Sequence, residues 1–298
     1  MEKQSVKIKR STGEKIFDFC NVVFMLFMIV ITLYPFLYVV FGSVSMPAEF
    51  SRHTGLLLAP TGFQLEAYRL VLQNEDILTG YLNTLIYVGA GTSISILLTI
   101  LMAFVVSRKK LMLKSFLIKM MMLTMFFSGG MIPTYLMMQD IGIMGTRFSV
   151  ILPGLISVTN VIILRTAFMG IPQGLEESAK IDGANDFIVL FKVIVPLSMP
   201  AIAVMVLFYG VGRWNSWFDA FLYLRNRELF PLQLILREIL VESSTDNMMI
   251  SLGALNGLDM SEIIKYATII VSTIPILCIY PLLQKHFVKG VMIGAIKG

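Results

Sequence analysis

The sequence predicts an all-α membrane protein with six transmembrane helices. Of its 298 residues, 56% are hydrophobic and only 14% are charged, whereas soluble globular chains average about 25% charged residues. The mean hydropathy is +0.80, and six uncharged stretches come near or exceed the roughly 20 apolar residues that a helix needs to cross a bilayer. The composition excludes a disordered chain, because disorder requires few apolar residues and a high net charge.

Each of the six uncharged stretches is predicted to form one spanning helix. In chain order they cover residues 19–48, 77–107, 120–139, 148–164, 193–212 and 266–284. Most contain Pro or Gly, which occur both in moving pathways and in static helix bundles where neighbouring groups satisfy the freed backbone atoms. The first stretch is long enough to span and lacks a small-residue cleavage site, so we expect it to remain as an anchor.

The basic residues predict the orientation of the chain. With a cytoplasmic N-terminus, sixteen of the 24 Lys and Arg residues fall on the inner side and eight on the outer side, in agreement with the positive-inside rule. Residues 1–15 then form a cytoplasmic segment, residues 16–287 the transmembrane domain and residues 288–298 a cytoplasmic tail. The net charge of +5 is explained by contact with anionic membrane lipid and requires no nucleic acid.

Three connecting regions have helical patterns of their own. Residues 66–72 and 232–241, the latter within an external segment at about 219–265, are predicted to lie along the membrane surface or to cover loops. The inner connection between the fourth and fifth spans is too apolar for disorder and is predicted to form two short helices at about 171–192. Gly183 is expected at or near their joint, because a residue without Cβ can turn the backbone or admit close packing.

A motif in this inner connection resembles the signature of permease subunits of ATP-binding-cassette (ABC) importers. Residues 176–196 read EESAKIDGANDFIVLFKVIVP. The family pattern is Glu-Ala-Ala, three residues, Gly, nine residues and Ile-x-Leu-Pro, and its spacing is kept throughout with Gly183 at the glycine position. The departures are Ser178 for the first Ala, Val193 for Ile and Val195 for Leu, which are small or apolar exchanges.

The resemblance implies a type I ABC importer permease fold with a cytoplasmic coupling segment that docks on an ATP-hydrolysing subunit. The residues implied in this contact are Glu176, Glu177, Ser178, Ala179, Asp182, Gly183 and Ala184. A helix with acidic residues on its polar face can lie in a groove of a partner and pair with basic side chains. The alternative is an amphipathic cap without a partner.

Other stretches narrow the resemblance, which covers most of the chain from about residue 65. Residues 181–184 and 287–298 resemble the carbohydrate-importer branch, specifically the maltose-type second permease, and residues 215–218 and 231–238 resemble a polysaccharide-related subgroup. In this family the C-terminal tail enters the interface of the ATPase subunits, although a frayed chain end is the alternative. The tail residues implied in this contact are Lys289, Gly290, Gly294, Lys297 and Gly298.

The partners implied by the resemblance are a homologous sister permease, two ATP-hydrolysing subunits, an extracellular solute-binding protein and an oligosaccharide, at the bacterial cytoplasmic membrane. The chain has no phosphate-binding loop and no metal-ligand spacing, and His53 and His286 fall on opposite sides. We therefore expect no catalytic residue, metal or cofactor in this chain, with ATP and Mg bound by the partner subunits. The external segment is expected to probe the binding protein.

Candidate substrate residues lie at the outer half of the fifth span and in the fourth. Flat aromatic faces suit a sugar ring, and amide, guanidinium and carboxylate groups can hydrogen-bond its hydroxyls. The aromatic residues could instead be interfacial anchors, Asn160 could form an interhelical hydrogen bond, and in maltose-type systems the sister permease holds the main sugar site. The candidates are Asn160, Tyr209, Arg213, Trp214, Asn215, Trp217 and Asp219.

Two other functions stay open from the sequence. One is an ABC importer for another solute, such as an amino acid or phosphate, against which the sugar-branch C-terminus argues. The other is an ion-coupled secondary carrier, which would need ionisable groups inside the spans and no coupling helix.

Overall fold

The protein is built from α-helices, and the part of the chain that the structure describes contains no β-strand. The computed structural model describes residues 11–109, 111–241 and 257–295. The helices are α1 (Thr12–Ser43), α2 (Pro47–Phe50), α3 (Glu66–Gln73), α4 (Glu75–Ser107), α5 (Lys114–Phe126), α6 (Met131–Asp140), α7 (Phe148–Ile151), α8 (Val158–Met169), α9 (Gln173–Ile181), α10 (Asp186–Leu197, with a π-helical segment at Val189–Ile194), α11 (Met199–Trp214), α12 (Phe218–Tyr223), α13 (Leu232–Val241) and α14 (Gly257–Ala295).

The described residues divide into two compact units, of which the first contains residues 11–71 and 257–270. Its helices are α1 to α3 and the N-terminal part of α14. The core of this unit contains edge-to-face contacts of the Tyr266 ring with the rings of Tyr38 and Phe50, at centroid distances of 5.9 and 5.7 Å. Gly42 makes room for these rings, since a Cβ at this position would lie 2.9 Å from Cδ2 of Tyr266.

Helix α1 presents apolar side chains on all sides. It begins at a capping box, in which the Ser11 hydroxyl accepts from the Gly13 N–H and the Glu14 carboxylate accepts from the Ser11 N–H. None of the residues in its most hydrophobic window is buried within the chain. A helix that is hydrophobic all round requires lipid or another protein as its surroundings, so α1 agrees with the first predicted span.

Helix α4 is the central element of the second unit, which contains residues 72–244 and 271–298. It packs against α8, α11 and α13. The Asn74 side chain caps its first turn by accepting from the Ile77 N–H at 3.1 Å. One buried apolar cluster joins the C-terminal half of α4 to α8, α10 and α11, and its members are Ile100, Ala103, Phe104, Val106, Val161, Leu164, Phe168, Val189, Leu190, Ile194 and Ile202.

Two glycines let other elements approach α4 closely. A Cβ at Gly80 would lie 2.6 Å from Cδ1 of Ile235 and 3.1 Å from Cα of Leu232, both on α13. A Cβ at Gly91 would lie 2.5 Å from Cζ of Arg213 on α11. Small residues at such contacts are common between membrane helices because they let the partner approach the backbone.

The six predicted spans correspond to three continuous helices and to broken segments. Among the described residues, Thr12–Ser43, Glu75–Ser107 and Met260–Cys278 are long and apolar enough to cross a membrane. The third predicted span falls on α5 and α6, which are bent by 110°, and the fifth falls on α10 and α11, which are bent by 84°. The first bend lies at residues 127–130, which include Gly129 and Gly130, and Gly130 has φ +87°. The second bend lies at Ser198, between Pro196 and Pro200.

The prediction of one continuous helix over residues 148–164 is wrong. This stretch contains the four-residue α7 and part of α8, which ends at Met169. Pro153 removes a backbone donor, and Gly154 has φ +68°, a conformation that ends a right-handed helix. The 12 residues of α8 extend about 18 Å, which is well short of the roughly 30 Å hydrocarbon core.

The other sequence predictions of helices agree better with the structure. Helix α13 begins and ends at the predicted residues, and α3 contains all of 66–72. Both bury apolar residues within the chain, so they cover other elements instead of lying free on a surface. Helix α14 extends from Gly257 to Ala295 and includes much of the predicted tail.

We expect Gly80→Ala to destabilise the protein. The added methyl group meets the backbone of α13, and overpacking of this kind costs about 1–3 kcal/mol, more than the roughly 1 kcal/mol that Ala gains over Gly in a helix. Gly89→Ala is the matched control, because it lies on the same helix and its Cβ would meet nothing within 4 Å. Thermal unfolding of the purified protein should show a lower Tm for Gly80→Ala only, and an unchanged Tm would contradict the close contact.

Candidate functional site

The predicted coupling segment contains helix α9 and the first part of α10, and the turn between them is at Gly183. Helix α9 ends at Ile181, and Gly183 has φ +84°, which an L-residue with a Cβ adopts only at a cost. The Gly183 N–H donates to the Lys180 carbonyl at 3.1 Å, and the Ala184 N–H donates to the Ala179 carbonyl at 2.9 Å. This glycine-terminated turn satisfies carbonyls at the helix end and confirms the predicted joint.

One side of this segment packs on the chain and the other is exposed. Ala179 and Ala184 contact the apolar cluster of α4, α8, α10 and α11. On the exposed side Ile181 keeps 85% and Phe187 67% of its surface open, and Glu177, Ser178, Asp182 and Gly183 are also exposed. The segment therefore presents a mixed apolar and acidic surface that its own chain does not cover.

Glu176 and Glu177 are adjacent in sequence but differ in environment. Glu176 forms an ion pair with Arg108, the residue that follows α4, and a second one with Lys180 at 3.4 Å. The side chains of Glu176 and Arg108 are only 22% and 24% exposed. Glu177 makes no ion pair within the described ranges. Glu176 thus attaches α9 to α4, and its predicted contact with a partner stays a prediction.

Further contacts hold both members of this ion pair. The Arg108 guanidinium lies 4.3 Å from the centroid of the Phe104 ring, and its Nε donates to the Ser107 hydroxyl at 3.2 Å. Lys180 also pairs with Asp186 at 3.0 Å. The hydrogen bond to Asp186 raises the pKa of Lys180 above its ordinary value, and Glu176 adds to this effect. The helix and the turn that follows it are therefore linked by charge.

A cavity of about 790 Å³ lies in the second unit between α4, α8 and α11. It brings together four predicted substrate residues, namely Asn160, Tyr209, Arg213 and Asp219. The other lining residues are Thr84, Tyr87, Val150, Pro153, Gly154, Ser157, Thr159, Leu207, Phe208, Val211, Gly212, Ser216, Pro231 and Ile276. The wall therefore combines aromatic rings with hydroxyl, amide and charged groups.

Tyr209 connects three of the helices around the cavity. Its hydroxyl lies 2.7 Å from Oγ1 of Thr99 on α4 and accepts from the Ser157 N–H at 3.0 Å. Ser157 in turn caps α8, because its hydroxyl accepts from the Asn160 N–H at 3.4 Å. The Tyr209 hydroxyl thus holds the start of α8 against α4 and α11, and the ring remains part of the cavity wall.

Arg213 and Asp219 are the two charged residues among the described lining residues. The Arg213 guanidinium lies against Gly91, and its Nη2 donates to the Ser95 hydroxyl at 3.2 Å. Its Nε is buried and has no hydrogen-bond partner in the part of the chain that the structure describes. Burial raises the pKa of the Asp219 carboxyl above its ordinary value, and the charge of Arg213 opposes this shift.

The remaining predicted substrate residues lie outside the cavity lining. Trp214 is buried and meets the Tyr81 ring edge-to-face at 6.2 Å. The Asn215 side chain donates to the Val211 carbonyl at 3.0 Å, at the end of α11. The Arg237 guanidinium lies over the Trp217 ring, with its Cζ 4.5 Å from the ring centroid. These three side chains therefore contact other residues of the chain instead of lining the cavity.

Several lining residues were not predicted from the sequence. Thr84 and Tyr87 of α4 line the cavity, and both also bind the external segment: the Thr84 hydroxyl accepts from the Leu232 N–H at 2.9 Å, and the Tyr87 hydroxyl donates to the Leu229 carbonyl at 2.7 Å. Together with Gly91 and Ser95 they form a stripe of polar and small residues at helical spacing. That stripe is the sequence signal that could have identified this wall.

The described part of the external segment is held to α4 by charge. Arg227 pairs with Asp76 in the first turn of α4 at 3.0 Å and with Glu238 of α13 at 2.8 Å. Residues 242–256 of this segment lie outside the described residues. At the other end of the chain, Lys289, Gly290 and Gly294 belong to α14, whereas Lys297 and Gly298 lie outside the described residues.

The chain is similar over nearly its whole length to known transport proteins, although no protein-family model matches it. It is 39% identical over 284 residues to the polygalacturonan/rhamnogalacturonan transport system permease protein YtcP of Bacillus subtilis strain 168, covering 95% of this chain and 99% of that protein. It is 38% identical over 290 residues to protein LplC of the same organism, covering 95% and 96%.

A solved structure is similar in both fold and sequence. It is a bacterial ABC transporter involved in the import of the acidic polysaccharide alginate, and one of its chains matches with a TM-score of 0.88 at 31% identity. The match covers 94% of this chain and 100% of that chain. The chain therefore belongs to the family of permease subunits of ABC transporters for sugars and polysaccharides.

Proposed function

We propose that this chain is one transmembrane half of an ATP-driven importer that moves an oligosaccharide into a bacterial cell. It pairs with a homologous sister permease, receives its substrate from an extracellular solute-binding protein and docks two ATP-hydrolysing subunits at the cytoplasmic membrane. ATP and Mg belong to those subunits. The observation that carries the proposal is the exposed acidic and apolar surface of α9, attached by Glu176 and Arg108 to the helix that lines the cavity.

The topology that we propose keeps six crossings and cytoplasmic termini. The broken pairs α5/α6 and α10/α11 each account for one crossing, and the stretch from α7 through α8 supplies the remaining one. Breaks inside a membrane are tolerated where the freed backbone groups face protein or a water-filled cavity. Pro153 and Gly154, at the break before α8, line the cavity, which supports this arrangement.

The substrate class follows from the cavity and from the relatives. One relative is named for polygalacturonan and rhamnogalacturonan, and the similar structure belongs to an alginate importer. The cavity is lined by Tyr87, Tyr209 and Asn160, which are mostly buried, and by the more exposed ring of Phe208. Flat apolar faces together with a few directional polar groups suit a pyranose, which has apolar C–H faces and a rim of hydroxyls.

The coupling that we propose runs through α4. Closure of the ATPase subunits on ATP moves the exposed face of α9, and the Arg108–Glu176 ion pair carries this movement to the end of α4. Thr84 and Tyr87 lie further along the same helix, in the wall of the cavity. A packed helix moves largely as a unit because the interior around it has little free volume, so the cavity changes its access from one side of the membrane to the other.

Uptake by the reconstituted transporter tests the function. The complete complex in proteoliposomes should accumulate a labelled oligogalacturonide only with ATP on the ATPase side and with the loaded binding protein on the opposite side. A proton or sodium gradient without ATP should give no uptake. Accumulation that follows an ion gradient in the absence of ATP would contradict the proposal and favour a secondary carrier.

We expect Glu177→Lys to uncouple transport while the permease stays folded, because Glu177 is exposed and makes no ion pair within the described ranges. Uptake should fall at least about tenfold, since loss of one partner from an interfacial charge pair costs roughly 2–5 kcal/mol. Asp140→Lys, a charge reversal at another exposed acid, is the control and should transport normally. Normal coupling in Glu177→Lys would contradict the docking role.

A further inference from the structure

We propose that the cavity contains a binding site for a sugar carboxylate, in which the Arg213 guanidinium pairs with a uronate unit of the passing oligosaccharide. This inference rests on the proposed function and narrows its substrate class to acidic glycans. In this proposal, one side chain of the permease itself makes the cavity prefer acidic oligosaccharides to neutral ones.

The first argument is the charge state of Arg213. Throughout residues 11–109, 111–241 and 257–295, no carboxylate oxygen lies within 4.0 Å of its guanidinium nitrogens. An arginine remains charged in proteins, and a charge inside a membrane protein is costly unless it is paired. Arg213 lies in the last turn of α11, one residue beyond the fifth predicted span, where a half-buried charge is normally paired. The Asp219 carboxylate acts on Arg213 only from beyond ion-pair distance, and an anionic group of the substrate would supply the direct partner.

The second argument is the way the fold places this side chain. Gly91 of α4 admits the guanidinium against the helix backbone, where a Cβ would lie 2.5 Å from Cζ and from Nε. Ser95 accepts from Nη2 only, at 3.2 Å. A guanidinium has five N–H donors, so most of the hydrogen-bonding capacity of Arg213 is unused among the residues that the structure describes. Donors of a guanidinium that have no partner among the described residues are what a planar carboxylate ligand requires.

The third argument is the wall around Arg213. Phe208 provides exposed aromatic surface next to the mostly buried Tyr87 and Tyr209, and the polar residues Asn160 and Ser216 line the same cavity. The volume of about 790 Å³ falls within the roughly 300–1,000 Å³ range of small-molecule sites. A uronate presents the same ring and hydroxyls as a neutral sugar and adds one planar carboxylate. The planar guanidinium matches that group better than an ammonium does, because it can donate two parallel hydrogen bonds.

Asp219 is the competing partner for Arg213. It lines the same cavity, and a change of conformation that brought the two side chains together would neutralise the guanidinium without any substrate. The two explanations differ in what removal of the Asp219 charge does. An acidic ligand should bind at least as well to Asp219→Asn, whereas a structural Arg213–Asp219 pair would be lost in that variant and the complex would be less stable.

Ligand binding to the purified complex, without the binding protein, is the test. Saturation-transfer NMR would compare trigalacturonate with its neutral methyl ester, which has the same backbone and no negative charge. We expect the unmodified complex to prefer the acid, Arg213→Gln to weaken acid binding on the order of tenfold, as expected for one charge-assisted hydrogen bond, and Arg213→Lys to retain part of the preference. Arg69→Gln, at an exposed arginine outside the cavity lining, should bind like the unmodified complex.

Three results would overturn the inference: equal binding of acid and ester to the unmodified complex, a preference for the acid that survives Arg213→Gln, or no binding of either probe. Size-exclusion chromatography of each variant confirms assembly. If Arg213→Gln does not assemble, a preference for the acid that is undiminished in Arg213→Lys overturns the inference instead. The proposed function fails by a different measurement. It would be contradicted if the unmodified transporter with its binding protein showed no ATP-dependent uptake, whatever the binding assay gives.

Discussion

The ion pair between Arg108 and Glu176 attaches the exposed helix α9 to the end of α4. The proposed link between the ATP-hydrolysing subunits and the cavity depends on this attachment. Exposed ion pairs contribute little to stability because water and salt screen them. This pair is about three-quarters shielded, and removing one partner of a shielded pair leaves a charge without compensation. The Phe104 ring beside the guanidinium restricts the arginine further. The attachment is therefore stronger than a surface contact between two mobile side chains.

Helix α4 is held by charge at both ends and by small residues along its length. Asp76 in its first turn binds Arg227 of the external segment, and Arg108 just after its last turn binds Glu176. Between these ends, Gly80 lies against α13 and Gly91 against Arg213. With 33 residues the helix is about 50 Å long. One rigid element thus connects the external segment, the cavity and the predicted coupling helix.

The sequence predicted where the chain is apolar better than it predicted where the backbone turns. An uncharged stretch shows that the chain is apolar there but not whether the helix axis continues in one direction. Helices α1 and α4 therefore agree with their predicted spans, whereas residues 148–164 contain α7 and part of α8. The motif has its glycine at Gly183, which was predicted at or near the joint because a residue without Cβ can turn the backbone, and the positive φ of Gly183 agrees with this. It could not distinguish Glu176 from Glu177, because the partner of Glu176 lies 68 residues away in sequence.

The cavity was predictable only in part for a similar reason. Tyr209 and Arg213 are four residues apart on α11 and share a face, whereas Trp214 is rotated by about 100° from Arg213 and is buried against Tyr81. Tyr87 belongs to α4 and Ser157 caps α8, and tertiary packing alone brings these two residues near Tyr209. Charge and aromaticity near the end of a span identified the region, and the periodicity of the helices selected which of its side chains line the cavity.

The most direct test of the central claim is whether the cavity responds to nucleotide through the Arg108–Glu176 pair. A cysteine at the lining position Thr159, with Cys20 and Cys278 replaced by serine, would be modified by a charged thiol reagent in the complete transporter. Trapping nucleotide on the ATPase subunits should change the modification rate in the otherwise unmodified transporter and in the charge swap Arg108→Glu with Glu176→Arg, but not in Arg108→Glu alone. The same nucleotide response in all three would contradict the claim that α4 carries the movement.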